Sequence, residues 1–362
     1  MQNKLLNVFY RGRMVGRLAE TPEKLLAFEY DTEWLRDGFS ISPFKLSLEK
    51  RVFIASRDPF EGNFGIFNDS LPDGWGRLLI DRMLVKKNIN PAAVGVLDRL
   101  SIVGTSGMGA LEYKPEEQLT GDIPIHDLNT LAREAESILN DEYTDKGLEE
   151  LVKTGGFSIG ARPKVLLNIG GEDWIIKFPA SIDPQNIGEQ EFNYMQAAAA
   201  AGLIVPEVKL FENKYFGAKR FDRRFGNKIF MISASGLLHA NHRMPTLDYN
   251  NLMTATLELT RDYREVEKMF RLMCFNVFAH NRDDHAKNFS FLYDDGWQVS
   301  PVYDLVYADG MGGEHATMID GEGRNPTAAN ILLVAQKCGL NQHRAKEIIK
   351  EVETAVQKAK LV

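Results

Sequence analysis

A chain of 362 residues, 44% of them hydrophobic and 26% charged, has the make-up of a globular protein with two or three domains. Two cysteines, Cys274 and Cys338, are too few for a disulfide framework, and neither a signal-like amino terminus nor an apolar run of about 18 residues occurs, so a cytoplasmic protein without a membrane span is expected. The formal charge of −7, from 43 basic and 50 acidic residues, argues against a large nucleic-acid footprint of its own.

Residues 1–112 open with strand patterning. Leu5–Tyr10 and Met14–Leu18, joined by Arg11-Gly12-Arg13, predict a hairpin, and Phe28-Glu29-Tyr30 a further strand. Trp75–Leu84 has helical spacing, with Pro72 near its start. Gly104-Thr-Ser-Gly-Met-Gly109 reads as a turn, because no G-x-x-x-x-G-K-[ST] occurs anywhere.

Residues 113–220 predict a small α/β lobe. One helix is expected over Leu128–Leu151, followed by Gly155–Lys164 and the strand Val165–Ile169. Gly170-Gly171 turns the chain into a second strand, Trp174–Phe178. Glycines let a backbone approach an anion closely, so Gly155–Gly160 is a candidate phosphate loop. Lys177 on the return strand stands where a kinase keeps its phosphate-pairing lysine, with Lys164 a rival for that role. Glu189–Gly202 predicts a helix in which Glu191 either pairs with Lys177 or is a solvated first-turn residue. Strands over Val208–Phe211 and Tyr215–Asp222 follow, and the Lys219-Arg220-Phe221 backbone is where an adenine edge would be read.

Residues 221–362 read as mostly helical. Val266–Phe278 is apolar on most sides and predicts a buried helix. Next come Asn281-Arg-Asp-Asp-His-Ala-Lys-Asn288, a hairpin turning at Asp294-Asp295-Gly296, and Tyr303-Asp304-Leu305. Phosphoryl transfer needs a carboxylate to accept the substrate proton and oxygen ligands for Mg²⁺. Protein kinases place base and metal-binding Asn at D-x-x-x-x-N, with a second Asp downstream. Asp283 and Asn288 have that spacing, and Asp304 follows the hairpin. Helices are also expected from Asn325-Pro326 to Ala335 and over Asn341–Ala359.

Other chemistries fit less well. There is no H-E-x-x-H and no C-x-x-C. Gly156-Phe-Ser-Ile-Gly160 spells a hydrolase elbow, but an elbow needs a strand before it and a helix after it, the reverse of the reading here. His239 and His242 are read as a solvated turn, and His285 as a loop-ordering or phosphate-neighbouring residue.

The run Asn281–Ser290, followed by Ser300-Pro-Val-Tyr-Asp-Leu305, closely resembles the catalytic segment of HipA-like serine/threonine kinases, the toxins of bacterial HipBA toxin–antitoxin systems. Lys219-Arg-Phe-Asp-Arg223 is similar to their hinge and Gly160-Ala-Arg-Pro-Lys164 to their phosphate loop. Tyr30–Trp34, Phe67–Asp73 and Val103–Leu111 resemble their amino-terminal subdomain. The resemblance implies an α+β, protein-kinase-like bilobal fold with an added amino-terminal α/β subdomain and a mostly helical carboxy-terminal lobe. It implies Asp283 as proton acceptor and Asn288 and Asp304 as Mg²⁺ ligands. Contacts to ATP would come from Ile159, Gly160, Ala161, Arg162, Pro163, Lys164, Lys177, Lys219, Arg220, Phe221, His285, Ala286, Lys287, Asn288, Tyr303 and Asp304.

Relatives of this kind pair with a small HipB-like helix-turn-helix antitoxin that carries the DNA binding, phosphorylate aminoacyl-tRNA synthetases, and autophosphorylate a loop serine. Ser158 is the matching candidate here, although it lies one position closer to the glycine than in the best-known pattern. The alternatives are a kinase-shaped docking module with little turnover, acting as co-repressor with the antitoxin, and a kinase of small molecules.

Overall fold

The computed structural model describes residues 4–121, 123–241 and 246–361. Contacts divide the chain into two units, residues 1–189 with 208–230, and residues 190–207 with 231–362. Among the described residues no helix is long and apolar enough to cross a membrane.

In the first unit, strands Leu5–Tyr10, Arg13–Glu20, Leu26–Tyr30, Val52–Ile54 and Glu112–Lys114 form a five-stranded antiparallel sheet. The Leu5–Tyr10 strand alternates as the sequence predicts, burying Leu6, Val8 and Tyr10. Glu112–Lys114 returns to pair with it and closes that edge. The helix Gly74–Lys86 then buries Trp75, Leu79, Ile80, Met83 and Leu84. Its partners in one continuous core include Leu131 and Leu151 from two further helices, and Val165, Trp174 and Ile176 from a second sheet.

That second sheet runs Lys164–Ile169, Glu172–Lys177, Tyr215–Lys219, Val208–Phe211 in spatial order. The Leu128–Leu151 segment expected as one helix is two, Leu128–Leu139 and Asp145–Gly155. Thr144 starts the second helix by accepting the Gly147 amide on its hydroxyl, a cap that helical periodicity does not reveal. The strand expected to reach Asp222 stops at Lys219, where the Arg220 side chain turns into an ion pair with Asp222.

The second unit is built on helices Tyr249–Thr260, Tyr263–Phe278, Ala328–Lys337 and Gln342–Ala359. The helix expected to begin at Asn325-Pro326 begins at Ala328, after a capping box between Thr327 and Asn330. Tyr263–Phe278 is buried over Met269, Phe270, Met273, Cys274 and Phe275, as its apolar composition predicts. It delivers the chain to the Asn281–Asn288 loop, and the hairpin Ser290–Tyr293 with Trp297–Val299 follows.

Candidate active site

The loop at 281–288 closes on itself. The Asn288 Nδ2 donates to the Asp283 carbonyl at 2.8 Å, and the Asn288 amide donates to the His285 carbonyl at 2.8 Å. His285 Nδ1 accepts the Lys287 amide at 3.3 Å, so this histidine orders the loop from within. With its nitrogen engaged, Asn288 has Oδ1 left for a cation. The Asp283 carboxylate is turned outward, 62% exposed, with His285 Nε2 at 3.9 Å. Ala286 and Lys287, in the same loop, are buried.

Tyr303 joins this loop to the segment after the hairpin. Its hydroxyl donates to the Lys287 carbonyl at 2.7 Å and lies 2.6 Å from Ser290 Oγ. The residues that precede Asn288 and Asp304 are therefore bonded to each other. Asp304 has φ +57°, a left-handed conformation that aspartate tolerates better than most residues and that redirects its carboxylate relative to Tyr303.

Below the loop lies a polar network that the sequence reading missed. Asp284 is fully buried and accepts from Tyr249 Oη at 2.8 Å, His315 Nδ1 at 3.0 Å and the Thr317 amide at 3.2 Å. Asn276 Nδ2 donates to the same tyrosine oxygen, and Asn281 Nδ2 donates to Asn276 Oδ1. Burial, with the Asp284 carboxylate second, pushes the Tyr249 phenol well above its ordinary value. The doubled Asp283-Asp284 was the available signal. Two adjacent carboxylates seldom share one environment, and here one faces solvent and the other the core.

In the first unit, the segment Gly155–Lys164 runs between helix Asp145–Gly155 and strand Lys164–Ile169, the reverse of a hydrolase elbow. Ser158 is fully buried and its hydroxyl donates to the Gly155 carbonyl at 2.6 Å. Lys164 is 7% exposed and its ammonium donates to the Ile159 carbonyl at 2.6 Å. Gly160 has φ +101°, a conformation that L side chains rarely adopt. Ala161 is exposed, and the buried Pro163 gives its carbonyl to the Phe178 amide.

Lys164 and Lys177 stand directly opposite each other across the two antiparallel strands, so both side chains leave the same face of the sheet. Like charges so placed repel, and an anion between them removes the penalty. Lys177 also lies over the Phe216 ring, 5.5 Å from its centroid.

The remaining residues of the expected ATP contact set are engaged within the protein. Arg162 grips Asp183 through Nε and Nη2 at 2.9–3.1 Å. Lys219 pairs with Glu172. Arg220 makes a two-bond pair with Asp222 at 2.7 and 2.9 Å, and Arg223 adds a third bond at 2.8 Å. Burial alone would raise the Asp222 carboxyl, but the two guanidinium groups outweigh it and hold it at about 2. Phe221 is half-buried beside them, and it is the Arg220 amide that extends the sheet, donating to Asp173. Glu191 is 3% exposed, which removes the solvated reading. His239 ends a short helix in a left-handed conformation, and His242 lies outside the described residues.

The chain matches two family models. The HipA N-terminal domain covers residues 6–114, and the HipA-like C-terminal domain covers residues 157–360. The chain belongs to the HipA family. A relative in Sinorhizobium fredii, named "Putative kinase Y4mE", is 29% identical over 84% of this chain and 78% of its own length. A second from the same strain, "Putative kinase Y4dM", is 24% identical over 75% and 73%. The fold is that of a chain in the Shewanella oneidensis MR-1 complex of HipA, HipB and operator DNA. The TM-score is 0.73 at 19% identity, covering 98% of this chain and 91% of that one. This chain thus shares the mixed α/β fold of that structure.

Proposed function

We propose that this HipA-family protein is an ATP-dependent serine/threonine protein kinase and the toxin of a toxin–antitoxin module. The observation that carries the reading is the closed loop in which Asn288 bonds the Asp283 backbone while the Asp283 carboxylate is turned toward solvent. Asp283 would accept the proton of the incoming hydroxyl, a contribution of about 10²–10⁴-fold. Asn288 Oδ1 and the Asp304 carboxylate would hold Mg²⁺.

These are hard oxygen donors suited to that ion, and no cluster of three His, Cys, Asp or Glu forms a metal cage among the described residues. Magnesium is usually bound by one or two carboxylates, with water and substrate phosphates completing its shell. When bound it would supply charge neutralisation at the phosphate oxygens. Lys164 and Lys177 would face the phosphates, while the backbone of 219–221 would read the adenine.

A bilobal, kinase-like arrangement, divided near residues 112 and 220, belongs to the same reading. So does a HipB-like helix-turn-helix partner through which DNA is contacted indirectly, since the structural neighbour is part of such a complex. The phosphorylated protein would be an aminoacyl-tRNA synthetase or another translation factor. Autophosphorylation at Ser158 completes the proposal. Because that side chain is buried and bonded to Gly155, the loop must open first. A phosphate of about −1.5 to −2 charge could not then return to the dry site.

The test is transfer of labelled phosphate from Mg-ATP by the purified chain and by Asp283→Asn. The variant is expected to lose about 10²–10⁴-fold in rate. Equal labelling by both proteins would leave only the docking-module reading.

A further inference from the structure

We infer that Asp73, in the amino-terminal HipA domain, is a positioning residue for the phosphate loop of the carboxy-terminal domain, a role that rests on the kinase reading above. Asp73 occupies the N-cap of helix Gly74–Lys86 with extended backbone angles, φ −127° and ψ 176°. An N-cap aspartate ordinarily accepts an amide of its own first turn. This one makes no such bond. Its carboxylate instead accepts the Gly160 amide, 87 residues away in sequence.

The Trp75 amide donates in turn to the Gly160 carbonyl at 3.0 Å. Both backbone groups of one loop glycine are therefore held by the start of one helix, and that pair of bonds fixes Gly160 at φ +101°. The Trp75 indole, 1% exposed, donates to the Lys164 carbonyl at 3.1 Å and secures the far end of the loop. The backbones meet without side-chain spacers. A Cβ on Gly74 would lie 2.7 Å from Ala161 Cα, and one on Gly76 would lie 2.4 Å from the Ser158 carbonyl.

The loop's internal bonds, Ser158 to Gly155 and Lys164 to Ile159, close it locally but do not orient Gly160. A hydrogen bond to a charged acceptor is about twice as strong as a neutral one, so Asp73 is the strongest external restraint on that glycine. Phe67–Asp73, which resembles the family's amino-terminal subdomain, thereby acquires a physical task in the nucleotide site.

The experiment uses the full chain with Asp73→Ala, Asp73→Asn and Asp73→Glu. It reads hydrogen–deuterium exchange over residues 157–161 and the Kd for Mg-ATP. Asn keeps an acceptor oxygen in place, whereas Glu keeps the charge but displaces it by a methylene. The Ala and Glu variants are expected to exchange faster and bind Mg-ATP more weakly, each by about ten- to a hundredfold. The Asn variant, which keeps only a neutral acceptor, should fall between the parent and Ala, about fivefold from the parent on both readouts.

Parent-like exchange in Asp73→Ala would overturn the inference. So would tighter Mg-ATP binding, which would make Asp73 a competitor for the phosphate's place. If Asp73→Ala does not fold, Asp73→Glu decides between geometry and charge, because parent-like behaviour there sinks the positioning role. Should the parent bind no Mg-ATP, the kinase reading falls, while the exchange measurements still decide whether Asp73 holds the loop.

Discussion

The two loops that would meet the substrates are built in opposite ways. In the 281–288 loop the closing bonds are local: Asn288 to Asp283, Asn288 to His285 and Lys287 to His285. In the 155–164 loop the bonds that orient Gly160 come from Asp73 and Trp75, far away in sequence. A loop closed by its own side chains needs particular residues at particular spacings and so leaves a motif. A loop held from outside needs only small residues and room, which a sequence does not distinguish from an ordinary turn.

The sharpest way to break this contrast is at Asp284. If the 281–288 loop were wholly self-sufficient, this residue would matter no more than the exposed Asp283 beside it. The buried network says otherwise. Asp284→Ala would leave the Tyr249 hydroxyl, the His315 ring and the Thr317 amide without their acceptor. Breaking a buried charged cluster typically costs about 3–5 kcal/mol. Asp283→Asn, at a solvent-facing position, should change stability by no more than about 0.5 kcal/mol. Urea unfolding of both variants checks this, and similar midpoints would mean that Asp284 carries no structural weight.

Much of the molecule was legible because its patterns are short-range. Leu6, Val8 and Tyr10 alternate, the Tyr263–Phe278 helix is apolar on most sides, and Asp283 and Asn288 sit five apart. What was not legible depends on the tertiary setting. The break between Leu139 and Asp145 hides within helix-favouring composition, marked by the single cap at Thr144. Asp284 is chemically identical to its neighbour, and only the fold sends it inward. Arg162 and Arg220 have the right charge for phosphate, yet Asp183 and Asp222 hold their guanidinium groups.

The Asp222 cluster tests the externally supported unit by pH. Its carboxyl is held at about 2 in the fold, below its ordinary value of 3.8. A depressed carboxyl contributes stability that is complete above about pH 4 and disappears as pH falls toward about 2. The contribution is about 2 kcal/mol. Exchange protection around residues 219–223 should therefore fall over that window. In Asp222→Asn it should be lower at neutral pH and vary less with acid. Parallel slopes in the two proteins would assign the acid sensitivity to other carboxylates.

The smallest expected effect is the most specific to the 155–164 loop. Lys164 and Lys177 face each other in register, an arrangement that costs the ligand-free sheet about 0.2–1 kcal/mol. Lys177→Met removes that repulsion. It also removes the cation over Phe216, worth about 0.5–1 kcal/mol, but a methionine sulfur beside the ring returns about 0.3–1.5 kcal/mol. The ligand-free protein should therefore change in stability by no more than about 1 kcal/mol. Mg-ATP should stabilise the variant much less than the parent, because half of the cationic pair that would receive the phosphates is gone. Thermal unfolding with and without Mg-ATP reads both signs at once. A variant that is less stable without ligand, yet raised by Mg-ATP as far as the parent, would show that the paired lysines serve the sheet rather than the nucleotide.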